Sequence, residues 1–274
     1  MTDLRYPILM VHGMGFHDVN MKTLGYWGRI PKALEDEGCT LYYGGQDSNG
    51  SIEDNGKFLC DRIRELCSRH GIEKFNVIAH SKGGLDIRYA ISTLGIGDRI
   101  ASLSTISTPH NGSITVDKLM RFPDFMIRFV CGICDIWLRF RGDRKPGTYR
   151  AIRAFTTKEA SIFNENNPDR EDIYYQSFAF TYKTFFSDVL LWFPHFVVKM
   201  VEGENDGLLT PRAVRWGDFR GVYTGTTNRG ISHCDEVDLR RRPLSKRKAE
   251  APGEVSDITE VYVDIVRRLK EKGL

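Results

Sequence analysis

The sequence predicts an α/β fold, a mostly parallel sheet of about six strands flanked by helices. Three observations predict it. Short apolar runs alternate with longer amphipathic stretches, a serine with two glycines close behind it follows one of those runs, and a His-Gly pair closes another. Strands are expected at residues 7–11, 40–43, 75–79, 100–107, 173–180 and 220–223. Helices are expected at 24–37, 52–69, 83–93, 158–164 and 258–272. In the second of these, Leu59, Ile63 and Leu66 recur at helical spacing, so one face packs on the sheet. A chain of 274 residues with 41% hydrophobic residues can bury one sizeable core, so a single domain over 1–274 is expected.

Two segments break the alternation. Residues 116–149 carry Phe122, Phe125, Phe129, Trp137 and Phe140 among arginines 121, 128, 139 and 141, and residues 181–200 carry Phe185, Phe186, Trp192, Phe193 and Phe196. Both are too apolar for loops and too long for connections. They are expected to be helical lid or cap insertions above the sheet, with Phe122, Phe125, Phe129, Trp137 and Trp192 as substrate or lid contacts. A closed lid would turn such residues toward the serine.

Charge excludes a class of partner. Lys plus Arg number 39 against 36 for Asp plus Glu, and a net charge of +3 does not point to nucleic acid. The six cysteines are scattered, which suits thiols in a reducing compartment. Cys131-Gly-Ile-Cys134 has the spacing of a redox or metal pair, but it lies in an apolar stretch with no second Cys/His pair nearby, so two small hydrophobes on a helix are expected. The first seven residues lack a secretory leader's apolar run, and a cytoplasmic location is the expectation. No uninterrupted apolar run of about 18 residues suggests a membrane span.

The chemistry begins at Ala79-His80-Ser81-Lys82-Gly83-Gly84, which follows an apolar run and precedes a helical stretch. This is the strand-turn-helix context of a nucleophile elbow, where small neighbours let strand and helix pass beside a strained serine. Ala79 stands where the common pattern has glycine. Ile8-Leu-Met-Val-His12-Gly13-Met14-Gly15 ends an apolar strand in His-Gly, where an α/β hydrolase offers a backbone N–H to the oxyanion hole. The expected donors are the N–H groups of Met14 and Lys82.

A serine hydroxyl needs a base, and this fold supplies an acid and then a histidine after the nucleophile. His233, beyond the strand at 220–223, is the expected base. His195 lies within an apolar insertion and is expected to pack there. Asp206, beside Gly207, is the expected acid, with Asp188 and Asp218 as rivals.

These residues resemble a known family, the bacterial true lipases related to the Pseudomonas and Burkholderia triacylglycerol lipases, with a closer likeness to their clostridial relatives. The likeness runs through Tyr6-Pro-Ile-Leu-Met-Val-His-Gly-Met, Tyr26-Trp-Gly-Arg-Ile-Pro-Lys-Ala-Leu, Ala79-His-Ser-Lys-Gly-Gly and Ser107-Thr-Pro-His-Asn-Gly-Ser. It resumes at Asn205-Asp-Gly-Leu and Ser232-His-Cys-Asp-Glu-Val-Asp. It implies a six-stranded sheet, an apolar lid and the roles given above. Several members hold a structural calcium through an aspartate two residues after the histidine, a side-chain oxygen six residues after it, and an upstream aspartate. Asp235 matches the first position and Asp188 is the candidate for the last, but Leu239 stands at the second and offers no side-chain oxygen. No other cofactor is expected.

The expected activity is hydrolysis of lipid-like or other hydrophobic carboxylic esters through Ser81, His233 and Asp206, with a lipid–water interface as a candidate partner. A thioesterase or acyltransferase on the same fold is the alternative enzyme, and a non-catalytic interaction module is the alternative from another class.

Overall fold

The computed structural model describes residues 4–15, 25–184 and 187–274. Among the described residues, seven parallel strands form one sheet in the order β2-β1-β3-β4-β5-β6-β7. They are β1 (Ile8–Val11), β2 (Leu41–Tyr43), β3 (Phe75–His80), β4 (Ile100–Ile106), β5 (Tyr174–Phe180), β6 (Asp218–Gly225) and β7 (Glu254–Val255). The sequence led to about six. The seventh is two residues long, too short to leave a periodic signal.

Alternate side chains of the strands feed two main cores, one on each face of the sheet, and Ala179 of β5 joins a smaller cluster with Leu209, Ala213 and Val214. Ile8 and Met10 of β1 join Ile78, Ile106 and Phe178 beneath α1 (Ile30–Asp36) and the last helix, α10 (Thr259–Glu271). Leu9 and Val11 join Phe75, Val77 and Leu103 beneath α2 (Ile52–His70) and α3 (Gly83–Ser92). In α2 the expected stripe of Leu59, Ile63 and Leu66 is buried on the sheet. The helix is started by Ser51, whose Oγ accepts from the Asp54 N–H at 3.1 Å, and stopped by Gly71 at φ 67°.

The first helix is shorter than the expected 24–37. Gly28 adopts φ 49° where a Cβ would meet the Asp238 carbonyl oxygen at 2.3 Å, so the chain turns there and α1 begins only at Ile30. Leu24 lies outside the described residues, as do Phe185 and Phe186.

The remaining helices lie between β4 and β6. They are α4 (Ile114–Leu119), α5 (Asp124–Arg141), α6 (Thr148–Arg153), α7 (Thr157–Asn166), α8 (Trp192–Glu202) and α9 (Pro211–Val214). Residues 116–149 therefore hold most of α4, all of α5 and the start of α6. Cys131 and Leu138 seat α5 on the body of the protein. Cys131 is buried, Cys134 is exposed, and neither is in a disulfide.

Candidate active site

β3 ends at His80 and α3 begins at Gly83, so the chain must reverse within two residues. Ser81 absorbs the turn with φ 53°, a left-handed conformation that costs a non-glycine residue of the order of 1 kcal/mol or more. The tightness explains the glycines around it. A Cβ on Gly13 would lie 2.7 Å from the Ser81 Cβ, one on Gly83 2.4 Å from the His12 carbonyl oxygen, and one on Gly84 2.2 Å from the Thr108 Oγ1. Thr108 in turn donates its hydroxyl to the Ser81 carbonyl at 2.7 Å.

The amides around this turn divide into two sets. Ser81 N–H donates to Ile106 O at 2.8 Å, Gly13 N–H to the Tyr26 hydroxyl at 2.8 Å and Gly15 N–H to Asn49 Oδ1 at 3.2 Å. Among the described residues, the Met14 and Lys82 N–H groups make no hydrogen bond. The Lys82 ammonium is not aimed at the serine. It is buried and donates to both oxygens of Asp86, at 2.6 and 2.8 Å, one turn along α3.

Asp206 and His233 arrive from the loops after β5 and β6. His233 N–H donates to the Asp206 carbonyl at 2.7 Å, and its Nδ1 lies 2.9 Å from Asp206 Oδ2. Asp206 Oδ1 accepts from the Leu208 and Leu209 amides, each at 2.8 Å. Burial opposes its charge, but His233 and these amides together hold the carboxyl below its ordinary range. Asp206 is thus an anion fixed against the imidazole. The rivals are spent elsewhere: Asp218 accepts from the Tyr174 hydroxyl at 2.7 Å at the sheet's edge, and Asp188 accepts from Ser232 Oγ at 2.6 Å. His195 is packed as expected, stacked on Tyr182 with ring centroids 3.9 Å apart and bonded to Asn205 at 2.8 Å.

Two further residues extend the site. Glu236, three residues after His233, is fully buried with Oε2 3.0 Å from His80 Nε2 and 3.6 Å from His233 Nδ1. Burial and the neighbouring Asp206 push its carboxyl well above the carboxylate range. Burial, with His233 and His12 adding to it, pushes His80 well below the usual imidazole range. Burial thus works against charge on both groups. Tyr26 closes the chain: its oxygen accepts from Gly13 N–H at 2.8 Å and lies 2.6 Å from His80 Nδ1. The elbow, the His-Gly strand end and the His233 turn are thereby wired together. Sequence reading passed over both residues. The available signals were an acid three residues past the histidine and a tyrosine in the Tyr26-Trp-Gly stretch. His80, His233 and Glu236 could in geometry hold a metal ion. Their atoms are instead engaged with Tyr26, Asp206 and one another.

Ser81, His233 and Met14 line one cavity of about 410 Å³. The rest of its wall is mostly apolar, with Val116, Ile152, Phe155, Leu190, Leu191 and Leu209 prominent. The sequence-derived contacts Phe122, Phe125, Phe129, Trp137 and Trp192 are absent from this wall, and they are 44–73% exposed. The expectation that they turn toward the serine is corrected. Periodicity shows that such a helix has an apolar face without showing what the face meets.

Asp188 and Asp235 do come together, but around cations already present. Arg229 Nη2 donates to both oxygens of Asp235 at 2.7 Å, and Arg240 lies 3.3 Å from Asp188 Oδ2 and 3.4 Å from Asp235 Oδ1. Ser232 Oγ is 3.0 Å from Asp235 Oδ2. Calcium needs six to eight oxygens, and here two guanidinium groups take the carboxylates while Leu239 lines the cavity. These residues do not fit the ion.

The parallel order, the serine after β3 at positive φ, and the acid and histidine after β5 and β6 are together decisive. The fold is that of the α/β hydrolases. A metagenomic carboxyl esterase of solved structure superimposes on 99% of this chain and 77% of its own with a TM-score of 0.73, at 15% sequence identity. In sequence the chain resembles triacylglycerol lipases. Triacylglycerol lipase 2 of Saccharomyces cerevisiae is 28% identical over 266 residues, 93% of this chain and 76% of that protein. The triacylglycerol lipase of Burkholderia plantarii is 27% identical over 175 residues, 60% of this chain and 48% of that enzyme. The match thus spans about half of the bacterial relative. No family model matches the chain.

Proposed function

We propose that this α/β hydrolase is a serine carboxylic ester hydrolase acting on hydrophobic, lipid-like esters. The observation that carries the reading is the meeting, at one apolar cavity, of a strained serine and an imidazole held by a buried carboxylate, with two unspent amides at the turns beside the serine.

In the first half-reaction His233 Nε2 takes the Ser81 hydroxyl proton as Oγ bonds to the ester carbonyl carbon. The negative charge that develops on the carbonyl oxygen is met by the Met14 and Lys82 N–H groups, held in place beforehand by the two glycine-lined turns. Collapse of the intermediate breaks the bond to the alcohol oxygen. His233 returns the proton to that oxygen, leaving an acyl group on Ser81. Water repeats the sequence, giving its proton to His233 and its oxygen to the acyl carbon, and Ser81 recovers its hydroxyl as the acid departs. Asp206 stays ionised throughout and stabilises the imidazolium.

The wall sets the substrate class. Val116, Ile152, Phe155 and Leu190 offer van der Waals and hydrophobic contact to an acyl or alkyl chain, with few polar groups to read a polar one. Such substrates gather at lipid–water interfaces, which we infer to be where the chain meets them. Hydrolysis of p-nitrophenyl esters from acetate to palmitate tests this, and kcat/KM is expected to rise from acetate toward longer chains. A preference for acetate alone, or turnover of acyl thioesters only, would contradict it.

A further inference from the structure

α5 is built with its apolar side facing outward. Phe122, just before the helix, and Phe125, Phe129, Ile133, Ile136 and Phe140 on it recur every three or four residues and are 55–87% exposed. The opposite line, through Cys131 and Leu138, is the one that seats the helix. At about 100° per residue, Arg128 and Arg139 fall along one edge of the exposed stripe and Arg141 along the other. Of these arginines, only Arg128 is offset by an acid of α5. Asp124 pairs with Arg128 and the Tyr149 hydroxyl, and Asp135 is turned inward to accept from the Thr148 N–H at 2.9 Å. The net charge presented beside the stripe is cationic.

An exposed apolar stripe of this size calls for a partner, and its rim specifies which. We infer that α5 docks in the plane of an anionic phospholipid bilayer, its phenylalanines entering the acyl boundary and Arg139 and Arg141 reaching lipid phosphates and carboxylates. Among the described residues no helix is long and apolar enough to cross a membrane, so α5 lies on the surface. A second copy is a poorer occupant, because symmetric pairing would bring two arginine-rimmed faces together. The inference deepens the proposed function: Leu190, at once part of the cavity wall and 68% exposed, opens the site on an apolar rim through which a lipid could enter.

The test is sedimentation with vesicles of phosphatidylcholine alone and of phosphatidylcholine with phosphatidylserine, which reads binding without requiring catalysis. The chain is expected to bind the anionic vesicles at least tenfold more tightly. Arg139→Gln/Arg141→Gln should weaken that binding about fivefold per arginine. Ile133→Ser/Phe140→Ser should weaken it on the order of 100-fold. Hydrolysis of a soluble short-chain ester should be unchanged in both variants, since none of these four residues lines the cavity. Equal binding to both vesicle types, or full binding by Ile133→Ser/Phe140→Ser, would overturn the inference. So would a concentration-dependent dimer that Ile133→Ser/Phe140→Ser abolishes while vesicles go unbound. An inactive chain that still binds anionic vesicles would fault the proposed chemistry and leave the docking face standing.

Discussion

Glu236 Oε2 lies 3.0 Å from His80 Nε2, and both side chains are buried. Burial disfavours charge on both, raising the Glu236 carboxyl well above its ordinary range and holding the His80 imidazole well below its own. The Tyr262 hydroxyl donates to the Glu236 carbonyl at 2.8 Å, so α10 anchors the turn that also carries His233.

The pH dependence of stability follows from that pair. Glu236 has a folded-state pKa raised above its ordinary value of 4.5, so the unfolded chain releases this proton first as pH rises. The contribution of Glu236 is complete below that value and is lost above it, by about 1.4 kcal/mol per pH unit until the folded-state value is reached. Glu236→Gln keeps the hydrogen-bonding shape without the proton. Denaturant titrations at a series of pH values should show the variant gaining on the native chain as pH rises above 4.5. Parallel curves would mean that Glu236 is ionised in the fold.

The acid assignment is tested by three substitutions. Asp206→Asn should lower kcat on the order of 10⁴-fold, since an amide cannot stabilise the imidazolium and favours the wrong tautomer. Asp188→Asn and Asp218→Asn should stay within about tenfold of the native rate, because neither touches His233. Steady-state rates on one soluble ester settle the order, and an inactive Asp188→Asn beside an active Asp206→Asn would reverse it.

Arginine in place of calcium predicts insensitivity to chelation. Removing divalent ions should leave the melting temperature and the rate unchanged, while Arg240→Ala should cost about 1–3 kcal/mol by weakening the support of two buried carboxylates. Thermal melts with and without a chelator measure both. A fall in melting temperature on chelation would show that an ion holds this turn.

The oxyanion site depends on the missing side chain at residue 13. Gly13→Ala would push a methyl group against the Ser81 Cβ and the Tyr26 hydroxyl, at 2.7 and 2.8 Å. It should lower kcat on the order of 100-fold or more, as loss of one donor does in such sites, with little change in KM. A native rate would show that the strand end can yield.

The central strands were legible because they are buried on both faces, so runs such as Ile8-Leu-Met-Val stand out as unbroken apolar segments. β7 was not, since Glu254 and Val255 pair through two residues only. Ser81, Asp206 and His233 were legible because turn geometry restricts their neighbours to glycine and small residues. Glu236 and Tyr26 act through burial and through partners distant in the chain, which local sequence does not encode. The apolar segment of α5 was plain in sequence. Its outward aim was not, because only the seating of Cys131 and Leu138 decides which face is left to solvent.

In the proposed mechanism Ser81 carries the acyl group. Intact-mass spectrometry after exposure to an alkyl fluorophosphonate should show a single adduct on the native chain and none on Ser81→Ala, with kcat on a soluble ester falling on the order of 10⁶-fold in the variant. An adduct that persists on Ser81→Ala, or a rate within tenfold of the native chain, would contradict the account.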